Sequence, residues 1–186
     1  MRTFIALPLP EEIKNFLANI QDELKPLNLD AKWVEPQNIH LTLKFLGEIK
    51  EEKLPLIKKI MDDLCKDTEN FKISLSYLGT FPPKGIPRVI WVGIEEGEKQ
   101  TKDLAQKLEE KLKGIGIPKE KRPFSSHITL ARLRSSKNTK SLIEKLNKQE
   151  KFNKIFFAQK INLYKSTLTP QGPIYEEIYT SNLKIN

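Results

Sequence analysis

One short pattern occurs twice in this chain, first as His40-Leu41-Thr42-Leu43 and then as His127-Ile128-Thr129-Leu130. The two strings hold the only two histidines among 186 residues. Thr fills ten positions and Leu 24, so two unrelated histidines would both carry Thr at +2 and Leu at +3 roughly once in twenty thousand cases. The pair constrains the fold before anything else does, because the chain must build the same local structure twice. Both copies alternate polar and apolar residues with period two, which is strand patterning. On a regular strand His40, Thr42 and Lys44 share one face, and Leu41, Leu43 and Phe45 share the other, core-facing one. In the second copy His127, Thr129 and Ala131 share a face, and strict alternation points Arg132 away from it.

Around these strands the chain reads as alternating strands and helices. Arg2 to Leu7 is patterned as a strand, and Ile13, Phe16, Leu17, Ile20 and Leu24 recur at helical spacing behind Pro10. A short strand over Ala31 to Val34 precedes the first motif. A helix over about Glu51 to Lys66 follows it, then a strand over Phe71 to Leu78. Gly79 to Pro87 reads as a Pro/Gly loop offering Phe81 and Lys84 to a ligand. Arg88 to Ile94 is apolar on both faces and so belongs at the centre of a sheet, with Trp91 in the core. A third helix carries Leu104, Ala105, Leu108 and Leu112 and stops at Gly114. A short helix holding Leu142, Ile143 and Leu146 and three closing strands complete the chain. The motifs lie 87 residues apart, half a chain per copy, which points to a distant internal duplication. No linker rich in Gly or Ser divides them, so residues 1–186 are expected to form a single bilobal domain, one motif per lobe. The class is α+β with antiparallel sheet predominating.

Composition narrows the partners. The net charge of +8, with 27 Lys and 5 Arg, favours acidic partners such as nucleic acid. Cys65 stands alone among Ile57, Met61 and Leu64, which excludes a disulfide framework and a cysteine metal site and marks a buried thiol. No apolar run has the length of a membrane span, and Met1 to Pro10 lacks a signal-peptide core. A cytoplasmic location and a monomer are the expectation, with no membrane partner.

If the two motif strands face each other, the space between them holds two imidazoles and two threonine hydroxyls. One imidazole can be neutral while the other is protonated, which is what a general base and a general acid require. The hydroxyls can hold oxygens that gain charge in a transition state, and Lys44 and Arg132 would suit a phosphate. In-line displacement at a phosphodiester uses all of these parts. A zinc site would need a third ligand, and neither copy has an acidic residue at a ligand-like offset in its strand. Ser125 and Ser126 precede His127 without a nucleophile elbow, and no phosphate-binding glycine loop is present.

At these residues the chain resembles the two-histidine phosphoesterase superfamily, named for its paired H-x-T-x motifs. The stretches Trp33-Val34-Glu35-Pro36, Asn38 to Glu48, Gly79-Thr80-Phe81-Pro82 and Ser126 to Arg132 look like its RNA 2′,3′-cyclic phosphodiesterase branch, first described as a 2′-5′ RNA ligase acting on tRNA halves. The resemblance runs from Arg2 to Leu168. It implies two antiparallel sheets around a basic cleft, and opening of a 2′,3′-cyclic phosphate at an RNA 3′ end to a 2′-phosphate. Neither metal nor cofactor is implied. Carried over by motif, His40 is the general acid on O3′ and His127 the general base on water. Thr42 and Thr129 hold the non-bridging oxygens, and Arg132 matches the arginine after the second motif. A twist or bulge at Ala131 is needed to bring Arg132 onto the cleft side. Phe81 is the first choice to stack on the terminal base. Tyr164 and Trp33 are assigned to the core.

Overall fold

The computed structural model describes residues 1–186 and contains nine strands and four α-helices. In chain order they are β1 (Arg2–Pro8), α1 (Glu11–Leu24), β2 (Ala31–Trp33), β3 (His40–Glu48), α2 (Leu54–Lys66), β4 (Phe71–Phe81), β5 (Val89–Ile94), α3 (Glu98–Lys113), β6 (His127–Leu133), α4 (Thr139–Asn147), β7 (Ile155–Ala158), β8 (Lys160–Thr169) and β9 (Gly172–Asn182). All named strand pairs are antiparallel. One sheet runs β3-β1-β8-β9 and the other β2-β6-β5-β4-β7. The α+β architecture with two antiparallel sheets is as the sequence implies, and β5 is the central strand that its two-sided apolar pattern requires.

The two motif strands have comparable neighbours. The motif strand β3 pairs with β1, which pairs with β8; the motif strand β6 pairs with β5, which pairs with β4. The sheet of β3 thus takes its third strand, β8, from the second half of the chain, and the sheet of β6 takes β5 and β4 from the first, so neither half is a lobe by itself. The helices cross over in the same way. Gln21 on α1 donates to the Leu130 carbonyl on β6, whereas α3 and α2 lie behind the sheet of β3. One cluster of buried apolar side chains, from Ile5 and Leu17 to Ile128 and Leu163, fills the space between helices and sheets.

Two local readings are corrected by packing. Gly79 is not in a loop; β4 continues through Phe81. A Cβ at Gly79 would stand 2.3 Å from the Trp91 ring, so this glycine is where an indole lies flat across a neighbouring strand. Gly114 ends α3 with right-handed dihedrals (φ −60°), and the left-handed position falls two residues later, at Gly116 (φ +80°).

Candidate active site

Both motif strands carry the same irregularity at the same place. In β3, Ala6 pairs with Thr42 and Ile5 with Lys44, which leaves Leu43 as an extra residue. In β6, Trp91 pairs with Thr129 and Ile90 with Ala131, which leaves Leu130 as the extra residue. Each is a β-bulge three residues after the histidine, and each reverses the alternation beyond it. Leu43 and Lys44 are both buried, as are Leu130 and Ala131, and the next side chains, Phe45 and Arg132, turn out to solvent. The bulge brings Arg132 onto the face of His127 and Thr129, one residue earlier than the position sequence reasoning required. On β3 it has the opposite consequence. The face of His40 and Thr42 continues with Phe45, and Lys44 points into the helical layer.

Lys44 is therefore not on the face of His40 and Thr42. It is 1% exposed. Its ammonium lies 3.0 Å from the Glu109 carboxylate on α3, donates to the Pro118 carbonyl at 2.9 Å, and is 4.0 Å from Glu120. A lysine buried this deeply is retained because its charge is matched on the spot. The expectation that it binds phosphate fails because period-two alternation does not survive the bulge.

The two histidines are held alike. Nδ1 of His40 lies 2.6 Å from the Asn38 carbonyl, and Nδ1 of His127 lies 2.8 Å from the Ser125 carbonyl, in each case two residues back. A carbonyl only accepts, so Nδ1 carries the proton and Nε2 is the unprotonated, reactive nitrogen in both rings. His40 Nε2 is 2.8 Å from Thr42 Oγ1, so the hydroxyl donates to it when the ring is neutral. Both rings are partly exposed. The strands β3 and β6 lie against one another, and a charge on His127 is felt at His40. Burial pulls His40 down from 6.5 to about 4; the Asn38 carbonyl opposes this, and the Lys14 ammonium and His127 add to it. Burial also lowers His127, opposed by the Ser125 carbonyl and assisted by Arg132. Both imidazoles are accordingly neutral at pH 7 in the free protein.

Aromatic rings wall the site on both sides. Phe4 of β1 stacks on His40 at 4.8 Å and on Tyr164 at 5.2 Å, and Tyr175 of β9 meets His40 edge-on at 5.4 Å. Opposite them Phe81 meets His127 edge-on at 5.1 Å and leans on Trp91 at 5.0 Å. The structure thus brings His40, Thr42, His127, Thr129, Arg132 and Phe81 to one region and turns only Lys44 away. Lys84 lies in the exposed turn after β4. Tyr164 and Trp91, assigned to the core from sequence, are half-buried on the motif faces instead. Phe4 and Tyr175 gave no sequence signal, because a strand aromatic reads as core until its sheet face is known. Two buried polar atoms beside the second motif, Trp91 Nε1 and Ser126 Oγ, have no hydrogen-bond partner in the chain. Gly79→Ala should push the indole off its strand at a cost of about 1–3 kcal/mol. Thermal melts combined with tryptophan fluorescence would register both the loss and the shift.

This arrangement has close relatives. The model of the LigT-like phosphoesterase family matches the chain twice, over residues 7–91 and 92–175, one match for each histidine motif. A Methanocaldococcus jannaschii protein named RNA 2′,3′-cyclic phosphodiesterase is 41% identical over 96% of this chain and 98% of its own length. An Aquifex aeolicus protein of the same name is 37% identical over 96% of this chain and 97% of its own. Among solved structures, a Thermus thermophilus protein superposes with a TM-score of 0.84 at 31% identity, covering 98% of both chains. Escherichia coli LigT in its apo form gives 0.79 at 26% identity over 98% of this chain and 96% of its own. With two family matches spanning nearly the whole chain and both histidine motifs in place, this protein is a member of the LigT-like phosphoesterase family of two-histidine hydrolases.

Proposed function

We propose that the protein hydrolyses 2′,3′-cyclic phosphate ends of RNA to 2′-phosphomonoesters, with His40 and His127 performing both proton transfers. The observation that carries this reading is the matched tethering of the two rings on adjoining strands, each with Nδ1–H fixed and Nε2 left unprotonated. The names of the relatives supply the substrate class. His127 Nε2 takes a proton from water as its oxygen bonds to phosphorus. The P–O3′ bond breaks, and protonated His40 Nε2 delivers its proton to O3′. Thr42 gives up its bond to His40 and, with Thr129 and Arg132, holds the non-bridging oxygens. Phe81, backed by Trp91, offers its face to the terminal base. The assignment of acid and base is the one the family resemblance implies. Every step is carried by side chains of this protein, so the scheme needs neither metal nor cofactor. Residues 1–186 act as one bilobal unit, a monomer in which each half braces the other's motif strand. No helix is long and apolar enough to cross a membrane. We place the reaction in the cytoplasm, with RNA fragments, tRNA halves among them, as its substrates.

The direct test is incubation of the protein, treated with chelator, with an oligoribonucleotide ending in a 2′,3′-cyclic phosphate. The expected product is the 2′-phosphomonoester. A 3′-phosphate, a joined 2′-5′ strand as sole product, or loss of activity to the chelator would each overturn the scheme.

The pH dependence follows from the lowered imidazoles. Protonation of the base sets the acidic limb and loss of the acid's proton the alkaline limb, and burial brings both imidazoles of the free protein below 6.5, His40 to about 4. The profile of kcat/KM should be a bell confined between those limbs. A bound phosphate anion favours protonated imidazole, so the kcat bell should lie at higher pH. A kcat/KM optimum above 6.5 would contradict the burial argument.

A further inference from the structure

Beyond the cyclic phosphate site, an open groove of about 500 Å³ runs along the outer edge of β3, lined by Phe45, Gly47 and the loop Pro118 to Arg122. We propose that this groove holds the nucleotide next in from the RNA end, with its base on Phe45 and its phosphate on Lys121 and Arg122. This rests on the cyclic phosphodiesterase reading and extends it from the terminal nucleotide to the strand behind it.

The bulge at Leu43 places Phe45 on the face of His40 and Thr42, with 53% of its surface exposed. Its ring is 6.0 Å from the buried Phe4, which in turn stacks on His40, so Phe45 packs on the same aromatic cluster as the reacting end. Phe45 follows Thr42 by three residues, about 10 Å of strand, so it lies just beyond the reacting phosphate.

The opposite wall is a loop held in place by a network centred on the buried Lys44. Lys44 bonds the Pro118 carbonyl and Glu109. Glu109 accepts the backbone N–H of Glu120, and Glu120 accepts that of Phe45 at 3.1 Å. Glu120 is the one carboxylate in the groove, and it is engaged by Phe45 and Lys44. Lys119 is paired with Glu110. Lys121 and Arg122 are exposed and in no ion pair. An aromatic face beside two uncommitted cations is the combination that binds single-stranded nucleic acid without reading its sequence. The buried Lys44 thus acts at a distance from the substrate, by fixing the loop that carries these cations.

The test compares a nucleoside 2′,3′-cyclic monophosphate, which cannot reach the groove, with a short oligoribonucleotide ending in the same group. Phe45→Ala and the double variant Lys121→Ala/Arg122→Ala should each raise KM for the oligonucleotide about tenfold and leave the mononucleotide unchanged within about twofold. The double variant should also flatten the salt dependence of oligonucleotide binding. Mononucleotide turnover shows in the same assay that each variant is folded. Equal effects on both substrates, or no effect on the oligonucleotide, would refute the groove. Should the wild type turn over neither substrate, the functional reading itself fails. Affinity for a single-stranded oligonucleotide, measured by fluorescence anisotropy on the wild type and both variants, then decides the groove on its own: equal affinities would refute it.

Discussion

Replacing either His40 or His127 by Ala should lower kcat on a nucleoside 2′,3′-cyclic monophosphate by about 10²–10⁴-fold, the contribution of one positioned acid or base. The rings work in one displacement, so the double variant should be little worse than the more damaged single one. Neither change should unfold the chain. Each ring is partly exposed, and its hydrogen bonds go to a local carbonyl and, for His40, to Thr42. Circular dichroism and melting curves taken beside the kinetics separate loss of chemistry from loss of fold. Activity within a few-fold of wild type in either variant would remove that ring from the reaction. A multiplicative double variant would mean that the two act in separate steps.

Lys44→Ala should act on stability instead. Removing the ammonium leaves Glu109 as an uncompensated carboxylate and strips the Pro118 carbonyl of its donor, at about 3–5 kcal/mol for a broken buried pair. Denaturant midpoints would show this directly. Under conditions where the variant stays folded, kcat on the mononucleotide should remain within a few-fold of wild type. A lysine that bound the substrate phosphate would give the opposite pattern, with stability kept and catalysis lost. Lys44→Met combined with Glu109→Leu should recover part of the stability, since an apolar pair of similar volume removes the stranded charge. It leaves the Glu120 N–H and the Pro118 carbonyl without partners, so recovery should be incomplete.

The case of Lys44 shows what the sequence could and could not disclose. The second motif held a clue: apolar residues at Ile128, Leu130, Ala131 and Leu133 break strict alternation between Leu130 and Ala131, where the bulge lies. The first motif hid it, because the residue equivalent to Ala131 is Lys44, and a lysine in a strand reads as solvent-facing. Applying the second copy's pattern to the first would have predicted a buried Lys44 and an exposed Phe45. Gly79 misled in a similar way, since a glycine demanded by an indole on the next strand looks the same in sequence as one demanded by a turn.

The sequence alone determined the two catalytic candidates, the strand character of both motifs, the helices and the α+β class, because these depend on residue type and on short-range periodicity. The tertiary structure decided which side of each strand the residues after the bulge face, which helix lies behind which motif, and which aromatics reach the cleft. A bulge is a mismatch between two strands, and a crossover is a choice of sheet. Neither exists until distant parts of the chain are paired, so neither is written in the spacing of residues along one strand.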